Sequence, residues 1–306
     1  MSWTLKTESP FALDAVIDAH GWIQLHPFIQ PPDRPGFDYT LRLASSGRVI
    51  TCRVAPVEQG IEVTTTTKLN AAKLNAAESK ELQQAAAWMV GLDLDLRPFY
   101  AHARGEPRLA HMEAGAKGRL LRAPTVYEDL VKTILTTNTT WSGTRRMNET
   151  LVNTYGPAAT DADPAHADPA DGAARHAFPE PARLAAVDPD ELRATVKVGY
   201  RAPYIVALAQ AVATGTLDLE TLKDPALSTE EVRKFLLSIK GVGDYAAANM
   251  LLLLGHYDFV PVDTAAVKSV GQMWHNGERI GAKEVYAAFE NWRPYRGLAY
   301  WFWQWD

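Results

Sequence analysis

The sequence predicts an α+β fold that is mainly helical, with an N-terminal antiparallel β domain over residues 1–75 and a helical body over 76–306. Three observations carry this. Between residue 10 and about residue 70, β-branched and aromatic residues alternate with polar ones. After residue 78, apolar residues recur at helical spacing. No segment of the chain repeats another, so a solenoid or propeller is excluded.

In chain order, Phe37-Asp38-Tyr39-Thr40-Leu41-Arg42-Leu43 alternates as a strand, and Ser45-Ser46-Gly47 reads as a hairpin turn. Residues 49–54 and 60–64 follow as further strands. Cys52, the single cysteine, lies in the alternating run and is read as a strand residue rather than a nucleophile. Helices are expected at 78–90, at 125–135 with Val126, Leu130, Val131 and Ile134 on one face, and at 145–155. Residues 157–182, rich in Ala, Asp and Pro, cannot form a continuous helix and are expected to be a solvated surface insertion. Helical patterns resume at 188–194, 202–213, 229–239, 245–254 and 282–291.

Composition removes several classes. With 306 residues, 47% hydrophobic and 22% charged, the chain is neither disordered nor fibrous. Its most apolar stretch, 246–254, falls short of the ~20 residues a bilayer span needs. The N-terminus shows no basic start before an apolar core, so the protein is expected to stay inside the cell, in the cytoplasm. One cysteine permits no intrachain disulfide, no iron–sulfur cluster and no Cys-rich zinc site. The eight histidines never fall at H-x-x-x-H or H-x-x-E-H spacing, and no G-x-S-x-G, Walker A or dinucleotide fingerprint is present. Of the formal charge of −5, −6 lies in residues 157–191, leaving the remainder at +1. Residues 117–156 hold six basic and three acidic side chains, so a basic face on an acidic protein is expected there.

The chemistry concentrates in one stretch. Around residues 228–254 a helix, a tight Lys240-Gly241-Val242-Gly243 turn and a second, apolar helix follow one another. Glycines lacking Cβ let the backbone turn sharply and approach a ligand, and the amides opening the second helix form a phosphate seat. Such a hairpin would hold a nucleic-acid backbone without reading sequence. Asp263, twenty residues beyond Gly243, stands in Val260-Pro261-Val262-Asp263-Thr264. Spacing alone leaves it either the N-cap of a helix starting at Thr264 or a catalytic carboxylate.

These residues resemble the helix-hairpin-helix (HhH-GPD) DNA glycosylases, base-excision repair enzymes that flip a damaged base and cut its N-glycosidic bond. Gly241-Val242-Gly243 and Val262-Asp263-Thr264 match that family's hairpin and V-D-T signature in order and spacing. Gly118-Arg119-Leu120-Leu121-Arg122 followed by Ile134 to Thr140 resembles the helix and turn that enter the DNA in the 8-oxoguanine branch, and Val198-Gly199-Tyr200-Arg201-Ala202-Pro203-Tyr204 is similar to a further segment of that branch. The run Trp292 to Trp301 is closer to the inducible 3-methyladenine glycosylases. The resemblance covers nearly the whole chain.

It implies that Asp263 is catalytic and that Lys240, Gly241, Gly243 and Lys268 meet the DNA backbone. Asn138 would enter the hole left by the flipped base, and Tyr200 and Arg201 would wedge and contact the opposite strand. An ordinary turn Asn and a solvated Arg are the alternatives. The lysine that forms a Schiff base in bifunctional members is replaced by Tyr245, which implies a monofunctional enzyme using water. Lys240 and Lys268 are the nearest amines in sequence. Tyr245, Asn249 and Trp301 are expected at the base pocket, although Asn249 could instead satisfy backbone. The aromatic cluster at 300–305 could equally be core. No cofactor is required by the resemblance; a sodium or potassium ion on the Ile239 and Val242 carbonyls is implied, with double-stranded damaged DNA as partner and a monomeric state.

Overall fold

The computed structural model describes residues 1–65, 73–159 and 174–305. The expected sheet residues 66–70, and residues 160–173 of the expected insertion, lie outside the described residues. No helix among the described residues is long and apolar enough to cross a membrane.

Five strands form one antiparallel sheet in the order β1-β5-β4-β3-β2: β1 (Ser2–Lys6), β2 (Phe28–Ile29), β3 (Phe37–Arg42), β4 (Val49–Val57) and β5 (Gly60–Thr65). The sheet begins earlier than expected, because Trp3 and Leu5 pair with Val63 and Ile61 on the outer edge of β5. Residues 10–25 are not sheet. Leu13, Val16 and Ile17 recur at helical spacing and form the buried stripe of α1 (Leu13–Ile17), and a 3-10 turn follows at Gly21–Gln24. Cys52 is fully buried in β4, and burial pushes its thiol up to about 12, so the strand reading holds.

The helical body comprises α2 (Ala76–Met89), α3 (Arg97–Ala103), α4 (His111–Ala114), α5 (Val126–Thr136), α6 (Trp141–Tyr155), α7 (Pro181–Ala185), α8 (Pro189–Val196) and α9 (Ala202–Ala213). After these come α10 (Thr229–Ser238), α11 (Asp244–Leu254), α12 (Thr264–Trp274), α13 (Ala282–Ala288) and α14 (Arg296–Phe302). α6 starts before the expected residue 145, because Thr140 caps it through the Gly143 amide at 3.2 Å. The expected helix 282–291 ends at Ala288 and continues as a 3-10 turn.

The buried side chains do not divide at residue 75. One core runs from Leu13 and Phe37 through Leu130, Leu151, Ile205 and Leu208 to Leu251 of α11. A second joins α3 and α4 to α12, α13 and α14.

Two charge expectations are corrected by burial. Arg119, Arg122 and Lys132, expected on a basic face, are interior. Arg119 donates to the carbonyls of Pro10, Gly91 and Leu94, Arg122 pairs with Asp93 at 3.1 Å, and Lys132 pairs with Glu128 at 2.6 Å. Residues 118–122 are thus an irregular inner segment and not a DNA-entering helix. Likewise, the described arms of the insertion are packed. Ala158 bridges His176, Ala177 and Phe178 are buried, and Arg175 reaches Asp38 of β3 at 3.0 Å.

Candidate active site

The hairpin is built by local rules. Ser228 and Glu231 form a capping box at the start of α10, and the Val242 amide closes the turn on the Ile239 carbonyl at 3.0 Å. Gly241 has φ +96, a left-handed conformation that L residues resist, and a Cβ there would stand 2.7 Å from the Tyr204 ring. Gly243 is different. Its backbone is extended, it caps α11, and a Cβ would meet nothing within 4 Å. As an N-cap, glycine is favoured over alanine there, and nothing in the protein crowds the position, so it is open to an approach from outside. Lys240 is exposed on the turn. Asp244 in the first turn of α11 puts a carboxylate near the same seat, paired with Arg233 at 2.6 Å.

Helix α11 is apolar almost all round, with Ala246 to Ala248 and Met250 to Leu253 buried. Tyr245 and Asn249, one turn apart, form its half-buried polar stripe. The Asn249 side chain donates to the Tyr245 carbonyl at 2.9 Å, so it satisfies backbone and lines the pocket at once. Beyond Gly255 the chain returns to Asp263, where cap and pocket coincide. Asp263 is the N-cap of α12, its Oδ1 accepting the Ala266 amide at 2.8 Å, and it also lines the pocket. Capping occupies one carboxylate oxygen and leaves Oδ2 for other work.

The pocket holds about 450 Å³ and is lined by aromatic side chains from four separate segments: Trp22, Trp141, Tyr245 and Trp301. Trp301 also donates its indole N–H to the Ala19 carbonyl at 2.9 Å. The remaining aromatics of the tail divide as packing demands. Trp303 is buried against Phe289, Trp292 and Trp274, so that part of the cluster is core. Burial raises the Tyr245 and Tyr300 hydroxyls, and the charge of Asp263 raises both further.

Sequence reading missed the segment His20-Gly21-Trp22, which lines the pocket from the sheet layer. No periodicity marks it; only the pairing of a small residue with aromatic neighbours could have. His20 accepts the Trp22 amide at 3.0 Å through Nδ1, and burial lowers its pKa to about 3, with the Lys132 charge adding to this. It is neutral at pH 7. Behind it, Asp129 accepts the Trp22 indole N–H at 2.7 Å and the Ala123 amide at 2.8 Å, and burial pushes its carboxyl up to about 7.

The remaining expected residues separate into surface and interior. Asn138 follows α5 with φ 46, and its side-chain amide donates to the exposed Tyr200 hydroxyl at 3.0 Å. Lys268 is exposed on α12. Arg201 is not available to a DNA strand as expected. It is 5% exposed, donating to the Val198 and Ile134 carbonyls at 3.2 Å and to that of Thr137, and so ties down the end of α5. A cavity of about 490 Å³ between β3, α2, α5 and residues 178–181 lies apart from all of these groups.

Residues 131–294 match the family model of the HhH-GPD superfamily base excision DNA repair protein. The DNA-3-methyladenine glycosylase of Bacillus subtilis is 23% identical over 69% of this chain and 68% of its own length. Across the curated relatives, the chain aligns with between 42% and 68% of the relative's length. The 3-methyladenine DNA-glycosylase of Archaeoglobus fulgidus superimposes with a TM-score of 0.71 at 18% identity, covering 98% of this chain and 97% of that one. The 8-oxoguanine glycosylase/lyase of Clostridium acetobutylicum gives a TM-score of 0.71 at 18% identity, covering 98% and 94%. These two likenesses establish the fold.

Proposed function

The chain belongs to the HhH-GPD superfamily of base-excision DNA repair proteins, and on that footing we propose that it is a DNA glycosylase hydrolysing the N-glycosidic bond of a damaged base flipped from a duplex. The observation that carries this is the position of Asp263, exposed at the mouth of an aromatic pocket and a short loop away from the helix that the phosphate-seat hairpin opens. Cleavage builds positive charge on the sugar. The Asp263 carboxylate would stabilise that charge and orient the attacking water through Oδ2.

The enzyme is monofunctional in this reading. Tyr245 occupies the pocket and no lysine is among its described lining residues, while Lys240 and Lys268 are exposed outside it. A phenol cannot form the imine a lyase needs. The favoured substrates are alkylated purines of the 3-methyladenine type. These are cationic and leave without strong acid help, and each aromatic ring of the wall offers a cation ~0.5–2 kcal/mol. Neutral His20, and a described lining without Lys or Arg, keep repelling charge out. The Asn138–Tyr200 pair favours a second reading, an oxidised-base enzyme of the 8-oxoguanine kind.

Lys240, Gly241, Gly243 and Lys268 would hold the strand, Asn138 and Tyr200 would fill the emptied stack, and the protein would act as a monomer. The Ile239 carbonyl already accepts one amide, and its second lone pair, with the Val242 carbonyl, suits a sodium or potassium ion beside the phosphate.

Base release from a panel of single-lesion duplexes, each product divided between hot alkali and borohydride trapping, tests the proposal. Release of methylated purines with alkali-dependent strand cleavage and no trapped adduct supports it. A borohydride adduct would overturn the monofunctional assignment. Tight duplex binding without release from any lesion would favour a non-catalytic DNA-binding module.

A further inference from the structure

Trp141 and Gly21 meet at the pocket in a way that neither the hairpin nor Asp263 explains. Gly21 opens the 3-10 turn of the sheet layer, and Trp141 is the first residue of α6. A Cβ on residue 21 would overlap Cζ2 of the Trp141 indole and stand 2.6 Å from its Cη2. Gly21 is not held in the left-handed region, so its backbone would tolerate any residue. The three nearest atoms that a side chain there would meet all belong to the indole. The ring is anchored beside the same contact, where Nε1, bonded to the Cε2 that also faces Gly21, donates to Gln24 Oε1 at 2.9 Å. Trp141 is nevertheless 37% exposed, and both Trp141 and Gly21 line the pocket. An indole laid against bare backbone, tethered at one edge and open to solvent, is a wall placed for its width and not for core packing.

We infer that Trp141, seated on Gly21 and tethered by Gln24, is the specificity-determining wall that limits the size of the base this pocket accepts. This deepens the glycosylase reading and rests on it. With the indole in place the slot admits a small methylated purine and rejects a bulky adduct of the same charge. Removing the indole widens the slot, and a methyl group at residue 21 cannot be placed without moving the ring. The clash at Gly21 falls on the far end of a side chain, so Gly21→Ala shifts the ring and leaves the backbone in place.

The test compares release of 7-methylguanine and 7-benzylguanine from otherwise identical duplexes. The two departing bases share the positive charge and the guanine ring and differ in the size of the N7 substituent. In Trp141→Ala the benzyl-to-methyl ratio of single-turnover rates rises at least about tenfold, since a single methylene in a pocket is worth roughly 10–200-fold. Trp141→Phe gives a smaller rise, Gly21→Ala alters the ratio only while the indole is present, and the Gly21→Ala/Trp141→Ala double variant does not exceed Trp141→Ala. An unchanged ratio in Trp141→Ala, or additive effects in the double variant, would overturn the inference. Circular dichroism of each variant verifies folding, and Trp141→Phe carries the comparison should Gly21→Ala not fold. Calorimetric binding of free 7,9-dimethylguaninium and 7-benzyl-9-methylguaninium repeats the size comparison without chemistry. Wild-type protein that releases neither base refutes the glycosylase reading. The wall stands or falls separately, on whether Trp141→Ala changes the ratio of these two affinities.

Discussion

The side-chain amide of Asn138 donates to the Tyr200 hydroxyl at 3.0 Å, across 62 residues of sequence, and the Thr137 hydroxyl lies 3.1 Å from the same oxygen. The turn after α5 and the 3-10 turn before α9 therefore present one polar tip. Directly behind it, Arg201 fixes the same turn from inside through carbonyls of residues 134, 137 and 198.

Adjacent residues 200 and 201 are thus expected to behave oppositely. Tyr200→Phe, at an exposed site, should leave unfolding free energy within about 0.5 kcal/mol of wild type and lower base release from duplex DNA several-fold. Arg201→Ala leaves three inward-facing carbonyls without a charged donor and should cost of order 3 kcal/mol, visible in urea unfolding, with Arg201→Lys restoring only part. Equal stability losses in both variants would refute this division.

Asp263 carries two duties that substitution can separate. Asp263→Asn keeps a capping oxygen, because Asn caps as well as Asp, and removes the charge. It should fold normally, bind duplex as before and lose base release by about 10²–10³-fold. Asp263→Ala should lose the same activity and a further ~1 kcal/mol of stability. Thermal melts beside single-turnover assays would show the difference, and full activity in Asp263→Asn would rule out the catalytic role.

How far the sequence could be read follows from where each signal resides. Hairpin, Asp263, Tyr245 and most helix cores were legible because their determinants are local: glycine conformations, caps and helical spacing. Asp263 could not be resolved as cap or catalyst because both need an acid just before a helix, and the structure makes it a cap whose carboxylate also faces the pocket. Arg119, Arg122, Lys132 and Arg201 looked like surface charge because nothing local marks burial, and most of their partners are carbonyls and acids distant in sequence. Trp22 and Trp141 were invisible for the same reason; only the closure of the sheet layer on α6 makes Trp141 a neighbour of Gly21 and Gln24.

The two hairpin glycines should separate fold from binding. Gly241→Ala forces a side chain into a left-handed backbone and onto Tyr204, at a cost of roughly 1–2 kcal/mol from the backbone alone. Gly243→Ala meets no atom within 4 Å and should cost at most about 1 kcal/mol as a poorer cap, yet weaken duplex affinity if the proposed phosphate seat holds, by placing a methyl there. Fluorescence anisotropy with a labelled duplex, set against melting temperature, distinguishes them. Unaltered affinity in Gly243→Ala would argue against the phosphate seat.

Acid and base should strain the pocket in opposite senses. His20 takes up a proton near 6.5 when unfolded but only near 3 when folded, so the unfolded chain binds the extra proton and stability is lost as pH falls from 6.5 toward 3. Asp129, up at about 7 in the fold against 3.8 in the free chain, does the reverse: its contribution is present below 3.8 and is lost as pH rises to 7. Wild type should therefore lose stability relative to His20→Asn as pH falls below 6.5. Relative to Asp129→Asn it should lose stability as pH rises from 4 to 7. Urea midpoints collected across that range would show it, and parallel curves would contradict both assignments.

The bond from the Trp301 indole to the Ala19 carbonyl spans 282 residues. Its consequence lies in biosynthesis. A chain emerging from the ribosome can finish its sheet, α5 and the hairpin while the pocket still lacks a wall, and Asp263 stands beside an open groove until residue 301 is released. A growing chain would thus carry the Asp263 carboxylate and the exposed hairpin without the enclosure around them, and the pocket would come into being only once residue 301 is released.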